Sequence, residues 1–190
     1  MSVHLPCSQQ AFCRTLICMT DQTLYLMLGY PGAGKTTISK YIHELTGAVH
    51  LWADHERNKR FPNPTRNHEE NIQLYAQLNK ETRQLLHQGK SVIFDTNFNF
   101  YKDRKKMRVW AAKEGVRTVV IWVATSKDLA RKRATLHSHG QHTRVWGNMP
   151  VERFERIARN LEPPRPGEQV IILDGTNSAK EDVARALEQL

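Results

Sequence analysis

The chain has 190 residues, which suits a single domain with one hydrophobic core. Its apolar and aromatic content is ordinary, and it has no run of about 18 apolar residues, which excludes a membrane-spanning helix. The net charge is +9, and residues 96–165 carry sixteen Lys and Arg against six Asp and Glu. This basic surplus in the second half predicts an anionic partner, such as a nucleotide, a phosphate ester or a nucleic acid.

The first residues of the chain do not match a secretory signal. Arg14 interrupts the only apolar stretch there, and no small-residue cleavage site follows it. We expect residues 1–20 to be a disordered extension ahead of a single domain that covers residues 21–190. All three cysteines lie in this extension, so the folded part needs no disulfide, which favours a reducing, cytoplasmic location.

Apolar runs alternate with helical periods along the rest of the chain, beginning with a predicted strand at Leu24–Leu28. Further strands are predicted over residues 48–52, 91–95, 118–123 and 170–173. Helices are predicted up to Gly47, after Asp54, and over residues 67–87, 103–114, 127–137, 150–161 and 179–190. In the long third helix the buried stripe is predicted to comprise Ile72, Tyr75, Leu78, Leu85 and Leu86. Apolar strands separated by helices predict a three-layer α/β sandwich around a five-stranded parallel sheet.

The loop GYPGAGKTT, which follows the first strand, matches the P-loop pattern of phosphate-binding proteins. Its glycines let backbone N–H groups approach phosphate oxygens, and the next helix directs its N-terminus at the anion. Lys35 would supply positive charge to the β and γ phosphates, and the Thr36 hydroxyl would bind Mg²⁺. The predicted nucleotide-binding residues are Gly29, Pro31, Gly32, Ala33, Gly34, Lys35, Thr36 and Thr37.

A P-loop by itself indicates a bound nucleotide and leaves the reaction open, because switches, motors and kinases share it. The chain is too short for a motor or transporter core. It also lacks an NKxD tetrapeptide of the kind that reads guanine, so an adenine nucleotide is favoured. We therefore predict ATP and Mg²⁺ as the cofactors.

Polar residues follow the second and third predicted strands, at the sheet edge where parallel α/β folds bind ligands. WADHER offers Asp54 and Arg57, and FDTNFN offers Asp95 and Asn97. Asp95 ends an apolar strand and is the predicted Mg²⁺ ligand, whereas Asp54 is the predicted base that accepts the proton of an incoming hydroxyl. The alternatives are structural: Asp54 could cap a helix, and Asp95 or Asn97 could stabilise a turn.

Arginines are the candidates for neutralising the charge that develops on a transferred phosphoryl group. Arg133 lies in DLARKRATLH, and Arg144 lies in a polar, glycine-containing segment over about 137–150 that has the character of a mobile lid. We predict that both contact the phosphates, with a solvated surface charge as the alternative for each. Arg57, Asn97 and Arg104 are weaker candidates for binding the acceptor. The HxHxxH spacing in the lid is too loose to favour zinc.

These motifs together resemble small P-loop kinases of the polynucleotide 5′-hydroxyl kinase and zeta-toxin type, a group described as AAA_33. The resemblance spans about Leu24 to Gly175 and rests on GYPGAGKTT, WADHER, VIFDTNFN followed by DR, RKRA, and NLEPP. It implies a P-loop NTPase fold of the nucleoside-kinase type. The sequence departs from the group in its lid, because the second arginine expected four residues after Arg133 is His137. Arg144 would take its place from an inserted stretch.

The resemblance also implies residue roles. Lys35 and Thr36 would bind ATP and Mg²⁺, and Asp54 would activate the acceptor hydroxyl. Arg57 would contact an acceptor phosphate, and Asp95 would lie near the metal. The predicted activity is ATP-dependent phosphoryl transfer to a hydroxyl, with a polynucleotide 5′-hydroxyl or a nucleoside as the leading acceptor. Two alternatives stay open, namely a small-molecule or nucleotide-sugar kinase and an ATP-binding switch. No membrane partner is predicted.

Overall fold

The computed structural model describes residues 22–136, 148–177 and 179–190, which build one five-stranded parallel sheet covered by helices. The strands are β1 (Thr23–Leu28), β2 (Val49–Trp52), β3 (Val92–Asp95), β4 (Arg117–Val123) and β5 (Val170–Leu173). Their order across the sheet is β2-β3-β1-β4-β5, and every pairing is parallel. The predicted fold class is therefore confirmed. The predicted N-terminal extension and most of the predicted lid, including Arg144, lie outside the described residues.

Seven helices in the described part of the chain connect and cover the strands. They are α1 (Lys35–Thr46), α2 (Ala53–Arg60), α3 (His68–His87), α4 (Tyr101–Lys113), α5 (Lys127–Thr135), α6 (Val151–Arg159) and α7 (Lys180–Leu187). α1 ends at Gly47, whose positive φ of 70° is the backbone conformation that glycine adopts most easily. α3 begins at Asn67, whose side chain accepts a hydrogen bond from the Glu70 amide at 2.8 Å. Across the described ranges, none of these helices has the length and apolar character needed to cross a bilayer.

The hydrophobic core has two halves, one on each face of the sheet. Leu24 and Leu26 of β1 pack on one face with residues of α3 and α4. Tyr25 and Met27 point to the other face, where they pack with residues of α1 and α7. Because successive residues of a strand point to opposite faces, a sheet that is buried on both sides requires the continuous apolar strands seen in the sequence.

The buried stripe of α3 differs from the predicted one. It comprises residues spaced four apart, namely Glu70, Leu74, Leu78, Thr82 and Leu86. Ile72, predicted to be buried, lies off this stripe with 57% of its surface exposed. Apolar periodicity alone missed this rotation because two of the five stripe positions are polar.

The register of the sheet brings three strand ends together. Trp52 of β2 lies opposite Asp95 of β3, and Leu26 of β1 lies opposite Phe94. The residues that follow β1, β2 and β3 therefore meet at the same edge. These are the P-loop, the first turn of α2 and the segment after Asp95, which are the three segments that the sequence singled out.

Candidate active site

The P-loop is held tightly between β1 and α1. Gly29, Gly32 and Gly34 have φ values of 145°, 78° and 103°, in the region that side chains disfavour. A Cβ on Gly29 would lie 2.8 Å from the Val123 carbonyl oxygen, and one on Gly32 would lie 2.4 Å from that of Ala130. The loop backbone thus touches β4 and α5 directly, and only glycine fits at these positions. Such a cradle fits the phosphates of a nucleotide.

Lys35, the first residue of α1, folds back over the loop. Its Nζ donates hydrogen bonds to the carbonyl oxygens of Gly29 at 3.0 Å and Tyr30 at 2.9 Å. Burial lowers the pKa of Lys35 to about 8, although the nearby carboxylates of Asp95 and Asp54 act to raise it. Within the described residues Lys35 forms no direct ion pair, so an anionic ligand would complete its coordination.

Asp54 lies in the first turn of α2, next to the P-loop. The helix begins at Ala53 with Trp52 as its cap residue, and no side chain makes a capping bond, so the interpretation of Asp54 as a cap is wrong. The Asp54 side chain is 49% exposed and accepts a hydrogen bond from Arg66 Nη2 at 3.1 Å. A carboxylate that is half open to solvent can receive a proton from a bound hydroxyl.

Asp95 and Thr36 are the residues that could hold Mg²⁺. Asp95 ends β3 and is 4% exposed, and its Oδ2 lies 3.0 Å from His50 Nε2. The Thr36 hydroxyl makes no hydrogen bond among the described residues, and Asn97 is exposed beyond β3. Oxygen ligands of this kind suit Mg²⁺, which takes one or two protein ligands and completes its shell with phosphates and water. No group of three or more His, Cys, Asp or Glu forms a metal cluster in the described ranges.

Two arginines predicted to bind the acceptor lie inside the protein. Arg57 is 4% exposed; its guanidinium forms a short ion pair with Glu70 and donates to Asn71 Oδ1 at 2.7 Å. Arg104 is completely buried and donates to both carboxylate oxygens of Glu168, at 2.9 and 3.0 Å. Each guanidinium already has an internal carboxylate. Both residues therefore form internal ion pairs, and the acceptor contacts predicted for them stay predictions.

Arg133 lies on the nucleotide side, near the end of α5. It donates to the carbonyl oxygens of Gly175 at 2.7 Å and Thr176 at 3.1 Å, in the loop that follows β5. That loop touches the P-loop, because a Cβ on Gly175 would lie 2.1 Å from the Ala33 carbonyl oxygen. Arg133 is thus anchored within the wall of the nucleotide cradle.

The sequence interpretation missed residues that follow β4 and β5. Thr125 donates its hydroxyl hydrogen to the Ala33 carbonyl at 2.8 Å, and Gly175 borders the P-loop beside Gly34. Ligands of parallel α/β folds bind beyond the carboxyl ends of the strands, and these positions lie at the ends of β4 and β5. Arg66 was also missed, because its contact with Asp54 depends on a positive φ of 58° that no local pattern signals.

A P-loop that leads from the central strand of a parallel sheet into a helix defines a P-loop protein with a kinase-like fold. The model of the AAA_33 family, described as an AAA domain, matches residues 24–164, and the chain belongs to this family. No curated protein matches the sequence.

Solved structures share the fold at low sequence identity. A sugar kinase from Janibacter sp. HTCC2649 is 20% identical with a TM-score of 0.62, covering 88% of this chain and 92% of that one. A gluconokinase from Sinorhizobium meliloti 1021 is 18% identical with a TM-score of 0.60, covering 89% and 91%. A chain of the Pnkp1/Rnl/Hen1 RNA repair complex is 18% identical with a TM-score of 0.61, covering 74% of this chain and 44% of that one.

Proposed function

We propose that the protein is a kinase that transfers the γ-phosphate of ATP to a hydroxyl group. One observation carries the proposal. Asp54, in the first turn of α2 directly after β2, and Asp95, at the end of β3, lie at adjacent strand ends, because Trp52 of β2 pairs with Asp95 in the sheet, and the P-loop follows the neighbouring strand β1. A P-loop cation with one exposed and one buried carboxylate beside it provides a proton acceptor and a metal ligand around a single phosphate site.

The roles of the residues follow from this arrangement. Lys35 and the loop amides would hold the phosphates, and Thr36 and Asp95 would hold Mg²⁺, which would supply positive charge to the phosphates when bound. The acceptor oxygen forms a bond to the γ-phosphorus, its proton passes to Asp54, and the bond to ADP breaks. Arg133 and Arg144 neutralise the charge that develops on the transferred group.

The leading acceptor is a polynucleotide 5′-hydroxyl or a nucleoside. The resemblance of VIFDTNFN to polynucleotide kinases, the basic surplus over residues 96–165 and the likeness to a chain of an RNA repair complex support it. The second candidate is a sugar or other small-molecule kinase, which the likeness to a sugar kinase and a gluconokinase supports. An ATP-binding switch is a third alternative, but a switch needs no base that faces a hydroxyl.

The test is transfer of labelled γ-phosphate from ATP to a panel of 5′-hydroxyl oligonucleotides, nucleosides, nucleotide sugars and sugars. We expect Asp54→Asn to lower kcat by about 100-fold or more on the accepted substrate, because general-base catalysis contributes that much, while ATP affinity stays unchanged. The matched control is Asp128→Asn, which removes an exposed carboxylate from α5 and should retain full activity.

The outcomes separate the alternatives. Transfer by Asp54→Asn at the wild-type rate would show that Asp54 is not the base. ATP hydrolysis without transfer to any acceptor of the panel would favour the switch. For an oligonucleotide acceptor, binding should weaken steeply with salt, because each neutralised phosphate releases counterions.

A further inference from the structure

A histidine contacts the proposed Mg²⁺ ligand, and the proposed reaction leaves it without a role. This residue, His50, lies on β2, which is an edge strand of the sheet. In the sheet register His50 lies opposite Ile93, and Trp52 lies opposite Asp95. Because residues two apart in a strand point to the same face, His50 and Trp52 share one face of the sheet with Asp95.

The imidazole of His50 has a single hydrogen-bond partner among the described residues. Its neighbour across the strands, Ile93, belongs to the apolar cluster that contains Ile38 and Ile42 of α1. A polar side chain in such surroundings requires a partner. His50 Nε2 lies 3.0 Å from Asp95 Oδ2. Since a carboxylate oxygen accepts hydrogen bonds, Nε2 carries the hydrogen and donates it to Asp95.

Stacking on Trp52 fixes the plane of the His50 ring. The two rings are nearly parallel, with an interplanar angle of 9° and centroids 6.2 Å apart. His55 of α2 stacks on Trp52 in turn, with the centroids 5.6 Å apart and an angle of 17°. Offset stacks of this kind are favourable arrangements of aromatic rings. The imidazole is therefore held in one plane while its N–H group points at Asp95.

The orientation of the Asp95 carboxylate depends on this hydrogen bond. The χ2 torsion of an aspartate has only broad minima, so hydrogen bonds decide where its two oxygens point. Within the described residues, the bond from His50 is the only one that the Asp95 side chain makes. Oδ1 makes none there and is not among the fully buried atoms that lack a partner, so it reaches solvent. The contact therefore fixes one carboxylate oxygen and leaves the other open to a ligand.

We propose that His50 is a positioning residue, which holds the Asp95 carboxylate in the orientation that binds Mg²⁺. Carboxylates that bind metals are themselves oriented by hydrogen bonds from residues outside the metal's own ligand shell, and loss of such a bond weakens metal binding. This inference rests on the proposed function, because that proposal assigns the metal to Asp95. It does not depend on which acceptor is phosphorylated.

The experiment measures how much a divalent metal tightens the binding of a non-hydrolysable ATP analogue to the full chain. Calorimetric titrations are made in EDTA and in Mn²⁺, which takes the same oxygen ligands as Mg²⁺. The ratio of the two dissociation constants is the metal-dependent gain in affinity, and its measurement requires no phosphoryl transfer. We expect a clear gain in the wild type and the loss of most of it in Asp95→Ala.

His50→Phe keeps a ring that can stack on Trp52 but loses the N–H donor. It should reduce the metal-dependent gain by about tenfold and leave the dissociation constant in EDTA unchanged. His50→Gln carries an amide N–H near the place of Nε2 and should recover most of the gain. Should the Phe variant fail to fold, His50→Asn repeats the test, because its amide is too short to replace Nε2.

The matched control is His43→Phe. His43 bonds the Ala48 carbonyl oxygen at 2.8 Å, so its replacement should keep the wild-type gain. A full gain in His50→Phe, or equal losses in His50→Phe and His50→Gln, would overturn the proposal. A gain that survives in Asp95→Ala would also overturn it, because His50 would then have no metal ligand to position.

Transfer assays separate this inference from the proposed function. A protein that loses the gain in His50→Phe but phosphorylates no acceptor of the panel would retain the positioning role and refute the kinase. In an active kinase, His50→Phe should raise the Mg²⁺ concentration for half-maximal rate by about tenfold, while kcat at saturating Mg²⁺ returns towards wild type. A loss of kcat that added Mg²⁺ does not restore would refute the positioning role and leave the kinase in place.

Discussion

The cations of the protein differ in what surrounds them. Arg57 and Arg104 lie in the protein interior, and each is paired with a carboxylate that is 13 or 64 residues away in the chain. Lys35 lies in the P-loop, where its Nζ donates to two backbone carbonyl oxygens, and it forms no direct ion pair within the described residues. We call Arg57 and Arg104 the closed cations and Lys35 the open cation.

The difference shows that positive charge by itself does not identify a binding residue. A cation that already has its carboxylate stabilises the fold, and a ligand would have to displace that partner. Lys35 donates its hydrogen bonds to neutral carbonyl oxygens, burial lowers its pKa, and it gains from an added anion. Substitutions should therefore affect stability at the closed cations and ligand binding at Lys35.

The largest expected effect is at a closed cation. Arg104→Met removes the two hydrogen bonds to the buried Glu168 carboxylate and leaves it, among the described residues, only the Arg108 guanidinium at 3.7 Å and the Arg165 amide, which should lower the free energy of unfolding by about 4 kcal/mol. Urea unfolding monitored by circular dichroism measures this loss. Arg185→Met is the control, because its ion pair with Asp182 on α7 is exposed and should contribute less than about 1 kcal/mol. A loss of stability at Arg104 as small as that at Arg185 would show that a closed cation stabilises the fold no more than an exposed ion pair does.

The next effect depends on pH. Burial acts to raise the pKa of Glu70, but hydrogen bonds from Arg57, the Arg66 amide and Thr65 outweigh it and lower the pKa from 4.5 to about 2. The folded state thus favours the ionised carboxylate, so its stabilisation is complete above pH 4.5 and is lost as pH falls towards 2.

We therefore expect Glu70→Gln to destabilise the protein by about 3 kcal/mol at pH 7, and the difference from wild type to shrink below pH 4.5. Thermal unfolding of both proteins across this pH range measures the difference. Glu81→Gln is the control, because Glu81 pairs with Arg60 near the surface. A difference that stays constant down to pH 3 would contradict the lowered pKa of Glu70.

The smallest expected effect is a change in the protonation of Lys35, the open cation, when ATP binds. With a pKa of about 8, Lys35 is about half protonated at pH 8 in the free protein, and bound phosphates should restore its full charge. ATP binding should then take up about half a proton at pH 8 and almost none at pH 6. Calorimetry in buffers of different ionisation enthalpy measures this uptake, and Lys35→Arg should abolish it. A binding enthalpy that is independent of the buffer at pH 8 would contradict the lowered pKa of Lys35.

The sequence was sufficient for the fold because local patterns determine it. The five apolar strands and the glycine-rich loop each depend on neighbouring residues, and parallel pairing follows from the alternation with helices. The positions of Asp54 and Asp95 at adjacent strand ends could be predicted for the same reason. Their proximity to Lys35 in the structure agrees with that reasoning, while their catalytic roles stay predictions.

The sequence was not sufficient to predict the contacts that the arginines make. Arg57 follows Asp54 by three residues and is predicted to contact the acceptor, but its ion pair with Glu70 of α3 could not be predicted. Arg66 reaches Asp54 only because a loop adopts a positive φ. The ion-pair partner of each arginine depends on which carboxylate the tertiary structure places beside it, and local sequence propensity does not predict that partner.

The phosphate-binding cradle and the surroundings of Asp54 also differ in which atoms form them. The nucleotide cradle consists of backbone in contact with backbone, where a single methyl group on Gly32 would clash with α5. The surroundings of Asp54 consist of side chains from α2 and from the loop that carries Arg66. Single substitutions can therefore change the residues around Asp54 while the backbone of the cradle stays the same. If the protein is the kinase that we propose, relatives with this architecture could differ in their acceptors while the phosphate-binding loop stayed the same.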